Sequence, residues 1–395
     1  MKIPITKPFF DECEKENIVK PLETGWLVQG PFVAKFEALF AEFVGANFAL
    51  ATTNCTTALQ LSLEALNITY GDSVVVPSFT YVATANAVES TGAEVVFCDI
   101  DLKTFNIDTR ELGNILKADV EKKIKAIIPV NLFGLCSDLE KIVDLSIKYG
   151  ISIVEDSACG FGALIKGKHS GTFGDLGCFS FHPRKAITTG EGGMVVSDNK
   201  DLIKQVSILR DHGASKSDLQ RHKGASGSLL PEFNVRGFNY RMTDIQGAVG
   251  VCQIKKADYI LEKRKEIAAR YETELAEIEE LETPYIPAGY MSGYQSYVCL
   301  FSTGRSIDKL TKQTIDELNV KRNEFMMNLE KKGISVRQGT HAVHTLGYYR
   351  NKYDISETQF LHSYAADRLS IAFPLYANMK EDEFNYVIRN LKELL

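Results

Sequence analysis

Residues 178–194 read CFSFHPRKAITTGEGGM. Cys178 to Phe181 is an apolar run of strand character, and a small Gly-rich turn, GEGG at 190–193, precedes a second apolar run, MVVSD. Between them stands one lysine, Lys185. Most lysines decorate surfaces. In an open α/β sheet, however, ligands sit beyond the carboxyl ends of the strands. The fold around this stretch therefore decides what Lys185 is for.

Upstream, apolar strand-like runs alternate with helical patterns. GANFALATTN leads into CTTALQLSLEAL, DSVVVPS into YVATANAVESTG, and KAIIPVNLFG into SDLEKIVDLSIKYG, whose helix Gly150 ends. AEVVFCDI, ISIVEDS, DLGCFSF and GGMVVSD read as further strands. This alternation predicts an α/β fold with a mainly parallel sheet and helices on both faces. Near residue 250 the pattern changes. CQIKKADYILEKRKEIAARYETELAEIEEL is charged and helical in period, a connector into a second unit. Beyond it, short strands (QSYVCLFS, GISVRQG) mix with helices (NEFMMNLEKKG, EDEFNYVIRNLKELL), an α+β pattern. The expected division is a large α/β domain over 1–255 and a small α+β domain over 256–395. Residues 214–235, polar and rich in Gly and Ser, read as an exposed loop.

The chain has 395 residues, 45% hydrophobic and 24% charged, with a net charge of −6. Its positive charges form no long block, and short groups such as KKIK at 122–125 read as solvated helix faces, so nucleic acid is not expected as a partner. No apolar stretch is long enough for a membrane span, and MKIPITKPFFDECEKENIVK lacks the apolar core of a secretory signal. A cytoplasmic protein is expected. Cysteines 13, 55, 98, 136, 159, 178, 252 and 299 show neither CxxC nor a His/Cys metal spacing. In a reduced compartment they read as small buried hydrophobes, and no metal site is expected.

Several strand ends carry polar or aromatic groups: Asp156 after ISIVE, Asn54 to Thr57 after FALAT, Ser78 to Tyr81 after SVVVP, Asn131 after AIIPV, and Ser180 to Lys185. Free N–H groups at the helix start near 54–57 suit a phosphate, although simple capping by Asn54 or Thr56 accounts for the same residues. Asp156 reads either as a partly desolvated carboxylate seeking a cation or as a cap or structural ion pair. A desolvated Lys185 would have a lowered pKa and act as a nucleophile toward an aldehyde. Together, a phosphate site, an aromatic ring (Tyr81), a carboxylate and a lysine match the needs of pyridoxal 5'-phosphate. No GxGxxG follows the first strand, which argues against a nicotinamide dinucleotide.

SFHPRKAITTGEGGMV, IVEDSACGFGA, VPSFTYVATANAV, NYRMTDIQGAVG and GTFGDLGCFSF together resemble the DegT/DnrJ/EryC1/StrS sugar-nucleotide aminotransferases, from about residue 3 to the C-terminus, through LSIAFPLYANM at 369–379. The resemblance implies a fold-type I aminotransferase with a mainly parallel seven-stranded sheet. It implies Lys185 as the Schiff-base lysine, Asp156 on the pyridine nitrogen and Tyr81 stacked on the ring. Backbone amides of Cys55 and Thr56, with the Ser180 hydroxyl, would hold the phosphate, and Asn239 would reach the phosphate of a neighbouring subunit in a homodimer. WLVQGP, with Trp26 and Val28, and RQGTHAVH, with His341 and His344, would face the sugar. The implied substrates are L-glutamate and a nucleotide-linked keto-sugar, a 4-keto-6-deoxyhexose; amination at C3 is the alternative, and a regulator that keeps the fold is another. Cys159 stands where the family often has glutamine beside the cofactor's phenolic oxygen, and a thiol is a weaker partner for that contact. Cys55 stands where Gly is usual, Arg184 where threonine is common and Phe161 where histidine is common, the last two next to the expected sugar pocket. A dehydratase branch carries histidine in place of the lysine, so Lys185 argues against it. A cysteine desulfurase using Cys159 or Cys55 finds no recognisable mobile loop. His182 and His212 read as local structural residues.

Overall fold

The computed structural model describes residues 1–215, 231–302 and 310–395. Seven strands form its central sheet: β1 (Phe48–Thr52), β2 (Ser73–Pro77), β3 (Glu94–Cys98), β4 (Ile124–Ile127), β5 (Ser152–Asp156), β6 (Leu176–Ser180) and β7 (Gly193–Ser197). Their order is β1-β7-β6-β5-β4-β2-β3. The run from β6 to β3 is parallel. β7 alone is antiparallel, to both β6 and β1. The reason lies in the connection: residues 181–192 form no helix, and a parallel return requires a crossover.

The strands are apolar on both sides because both faces are covered. Val74, Val76, Val154 and Cys178 meet one layer, which includes the helices Cys55–Ala65, Ala83–Glu89 and Lys200–Arg210. Val75, Ile127 and Ile153 point the other way, toward Thr109–Ala118 and Leu139–Tyr149. On that second face Phe179, Met194 and Val196 pack with Pro31–Val44 and Asp244–Lys255.

The expected connector differs from its sequence reading. A capping box at Thr243 and Gln246 starts a helix at Asp244, eight residues before the charged pattern becomes visible at Cys252. That first helix is apolar on nearly every side, so it has no amphipathic period to read. Gly247 and Gly250 admit the helix Pro31–Val44: a Cβ would sit 2.6 Å from Val33 N and 2.6 Å from Phe36 Cδ1, respectively. The chain breaks at Lys256 and continues as Ala257–Leu275. Ala257 and Ile260 pack with the sheet, whereas Ile267, Tyr271 and Leu275 enter a second core.

The second core rests on an antiparallel sheet of β8 (Leu281–Glu282), β9 (Tyr297–Phe301) and β10 (Ser370–Phe373). The helices Lys312–Lys331 and Glu381–Leu394 cover it. Ile3 belongs to this core, with its N–H on Gly333 O at 2.8 Å. GISVRQG forms no ladder strand, only the single bridges Ile3–Ile334 and Arg337–Ala372. Of the 214–235 loop, Ala214 pairs with Phe233; residues 216–230 lie outside the described residues.

The reading of the cysteines needs one correction. Cys13 and Cys252 form a disulfide between Glu12–Asn17 and Asp244–Lys255. They are 239 positions apart, and no local spacing announces the pair. Among the described residues no helix is long and apolar enough to cross a membrane.

Candidate active site

Strand register assembles the site. Thr52, Gly193 and Ser180 face one another across β1, β7 and β6, and Cys178 pairs with Asp156 on β5. With strands about 4.8 Å apart, the ends of β1, β6 and β5 form a row. The helix Cys55–Ala65 starts there. Asn54 caps it by accepting Thr57 N at 2.9 Å, as the simpler reading of this turn expects. That bond takes only the third N–H. Among the described residues nothing accepts from Cys55 N or Thr56 N, and these orphan donors suit an anion. Gly193 keeps the turn close, since a Cβ there would lie 2.4 Å from the Asn54 carbonyl. The Ser180 hydroxyl, one strand over, accepts only a long 3.4 Å bond from His182 N.

Asp156 is 5% exposed. Burial pushes its carboxyl above the usual carboxylate range, opposed by the Thr84 hydroxyl at 2.7 Å, Ala158 N at 3.1 Å and the Lys185 charge. A buried acid of this kind gains from a cationic partner. Thr84 was not legible as a site residue. It lies in the first turn of a helix 72 positions away, and only the fold aims it at Asp156. Glu155 points to the opposite face, as strand alternation requires. There it accepts from Gly171 N, Phe173 N, Gly174 N and Asn131 Nδ2. Asn131 is therefore not a ligand-facing strand end: it is fully buried, tying Glu155 and Ser157 to Ser137.

Lys185 is half-buried, and its Nζ donates to Cys159 Sγ at 3.1 Å. The expected lowered pKa is corrected. Burial does pull the ammonium down, but Cys159, Cys55 and Asp156 around it hold it above its ordinary value. Without the cofactor the amine is a cation beside its sulfur and carboxylate neighbours.

Tyr81 is 65% exposed, its ring open to a stacking partner. The short strand His341–Ala342 pairs with Phe79–Thr80, which sets the exposed His341 opposite Thr80, next to Tyr81. His344 is corrected: it is fully buried, with Ser78 Oγ on Nδ1 and Glu357 O on Nε2, so both ring nitrogens serve the fold. Trp26 lies over Gly30, and its indole N–H bonds Val28 O at 2.9 Å. Val28 bridges Thr243, while Met242 and Gln246 of the same segment lean on Gly192 and Glu191. The 26–30 loop thus lies beside the turn that follows Lys185. Asn239 is exposed, and its neighbour Tyr240 accepts Thr53 N at 3.0 Å, close to the end of β1. Phe161 is corrected as a pocket residue: it stacks on Phe43 at 4.9 Å within the core.

A sheet of this order, carrying an anion-ready helix start, a buried carboxylate and a lysine on adjacent strand ends, defines the pyridoxal-phosphate class. The orphan N–H groups, the close Gly193 and the open Tyr81 ring all fit that group. The chain belongs to the DegT/DnrJ/EryC1/StrS aminotransferase family, whose model matches residues 8–392, and it is a pyridoxal-phosphate-dependent aminotransferase. It is 33% identical to the spore coat polysaccharide biosynthesis protein SpsC of Bacillus subtilis, over 100% of this chain and 97% of the relative. It is also 33% identical to GDP-perosamine synthase of Caulobacter vibrioides, over 100% and 98%. The putative sugar aminotransferase Spr1654 of Streptococcus pneumoniae, solved in its PMP form, superposes with a TM-score of 0.89 at 27% identity, over 100% of this chain and 99% of that one.

Proposed function

We propose that this aminotransferase moves an amino group from L-glutamate to C4 of a nucleotide-linked 4-keto-6-deoxyhexose, as a homodimer with shared sites. The observation that carries the reading is the pair of Asp156, at the end of β5, and Lys185, in the loop that follows the neighbouring β6, beside a helix start with two free N–H groups. A binding-only protein needs neither charge buried there. The relative named GDP-perosamine synthase favours GDP as the nucleotide.

Bound pyridoxal phosphate supplies an electron sink for the donor's Cα. Cys55 N, Thr56 N and Ser180 Oγ would hold its phosphate, and Asn239 of a second copy would join them. Tyr81 covers one ring face. The Asp156 carboxylate would keep a proton on the ring nitrogen, a hold that burial would strengthen. Lys185 would hold the group, and its Nζ, when free as the neutral amine, would take the proton that leaves the donor Cα and give it back at carbon. On this reading residues 1–255 hold the cofactor, and residues 256–395 add the wall that carries His341.

The test is incubation with pyridoxal phosphate, L-glutamate and GDP-, UDP- and dTDP-linked 4-keto-6-deoxyhexoses, followed by mass spectrometry of the sugar and quantification of 2-oxoglutarate. An aminated sugar is expected only with Lys185 intact. Failure of every keto-sugar to accept nitrogen would sink the substrate assignment.

A further inference from the structure

The loop that carries Lys185 is held from the C-terminal half of the chain by Gln253 on Thr188 N, by Gln246 on Glu191 O and, nearest the lysine, by Gln295. Gln295 Nε2 donates to Arg184 O at 3.2 Å, the carbonyl immediately before Lys185. Gln295 is itself unusually well fixed. Arg264, on the helix Ala257–Leu275, sends Nη2 to Gln295 O at 2.5 Å and Nε to Tyr294 O at 2.9 Å. Arg264 is 2% exposed. Burial pulls it down to about 10, so it remains a cation at neutral pH. Such a buried charge is costly unless its hydrogen bonds are well placed, and here they are spent on two carbonyls of one turn.

The turn is closed from the other sides as well. Gly293 N bonds Gly134 O at 2.8 Å. A Cβ on Gly134 would stand 2.5 Å from Tyr294 N and 2.7 Å from Gln295 N; one on Gly293 would stand 2.2 Å from Phe161 O. Tyr294 adopts φ +43°, a left-handed conformation rare for a bulky residue. Such backbone persists where the surroundings over-determine it, often at functional sites. The amide oxygen of Gln295 accepts from Ser296 Oγ at 3.1 Å, which orients the NH2 toward Arg184.

We infer that Gln295 is a positioning residue for the reaction: clamped by Arg264, it holds the Arg184 carbonyl and so sets where Lys185 Nζ stands. The inference rests on Lys185 as the cofactor-bearing residue. It also gives Arg184 a role through its backbone, which the side chain's exposure does not suggest.

The test compares wild type with Gln295→Ala and Gln295→Glu, all loaded with pyridoxal phosphate. Glu keeps the shape and loses the donor, so it remains informative if Ala disturbs folding. Borohydride reduction and peptide mass spectrometry first locate the cofactor. Attachment elsewhere than Lys185 in wild type would overturn the reading on which the inference rests. With attachment at Lys185, both variants should lose about tenfold in kcat, with KM for the nucleotide sugar little changed, because a misplaced proton carrier affects the chemical step rather than sugar binding. Capture of pyridoxal phosphate by the apo-protein should slow in parallel, a readout independent of turnover. Wild-type kcat and capture rate in Gln295→Glu would overturn the role.

Discussion

Two charges at the site are held by their neighbours more than by their own chemistry. Lys185 stays cationic against burial because Cys159, Cys55 and Asp156 surround its amine. Asp156 stays within reach of ionisation because Thr84 and Ala158 N oppose its desolvation. Removing one of those donors has a defined result. Thr84→Val should weaken the carboxylate's hold on a protonated ring, since a hydrogen bond to a charged group contributes about 1.5–3 kcal/mol. We expect pyridoxal phosphate affinity to fall roughly 10- to 100-fold, read by titrating the apo-protein and following the cofactor's absorbance. Unchanged affinity would show that Thr84 does not support Asp156. At this scale the sequence offered the lysine and aspartate as candidates, Asp156 closing one apolar strand and Lys185 following another by five positions. Thr84 was not among them, because a threonine in a helix's first turn has an ordinary capping explanation. His344 shows the opposite error: a histidine in a promising motif that the fold uses as an internal tie between Ser78 and Glu357.

Among the elements, the chain from 160 to 174 depends on a neutral histidine. His169 Nε2 accepts Gly162 N at 2.9 Å, and its other ring nitrogen donates to Ser170 O at 2.6 Å. Burial pulls its pKa from 6.5 down to about 4, against the Ser170 bond, which favours the charged form. The sign follows from linkage. Between the two values the unfolded chain binds the proton and the folded chain does not, so the stabilisation is complete above 6.5 and is lost as pH falls toward 4. The loss should approach about 3 kcal/mol. Urea midpoints from pH 7.5 to 4 should show it, and His169→Gln should flatten that part of the profile. A variant with the wild-type slope would assign the acid sensitivity to other groups. Strands were the most legible elements, since their apolar runs are bounded by turn residues. Asp244–Lys255 was legible only in part, because a helix buried all round shows no period. The reversal of β7 was hidden for a different reason: direction depends on what connects two strands, not on either strand's residues.

At the scale of the whole molecule, several apolar side chains stand exposed on two segments near the site. Ile18, Val19, Leu22, Leu27 and Val28 are all more than a third exposed, on a segment running to the 26–30 loop, and Phe233 and Val235 are exposed before Asn239. For the proposed homodimer, light scattering should give about twice 44.0 kDa. Shared sites make a sharper demand. Lys185→Ala and Asn239→Ala stocks, each impaired, should regain roughly a quarter of wild-type activity when their subunits are reassorted, because half of the dimers then carry one intact site. A mixture no more active than its components would mean that each chain builds its site alone.

The amino-acid sequence by itself determined the α/β class and marked Lys185 and Asp156 as candidates, because apolar runs ended by polar residues are local patterns. Only the tertiary structure decided which residues support them. Thr84, Glu155, Gln295 and Arg264 reach their partners across 72, 16, 111 and 31 positions, as the Cys13–Cys252 bond does across 239. Contacts at such separations leave no periodic trace along the chain. They exist because sheet register and helix packing bring distant backbone together, and packing depends on the whole fold at once.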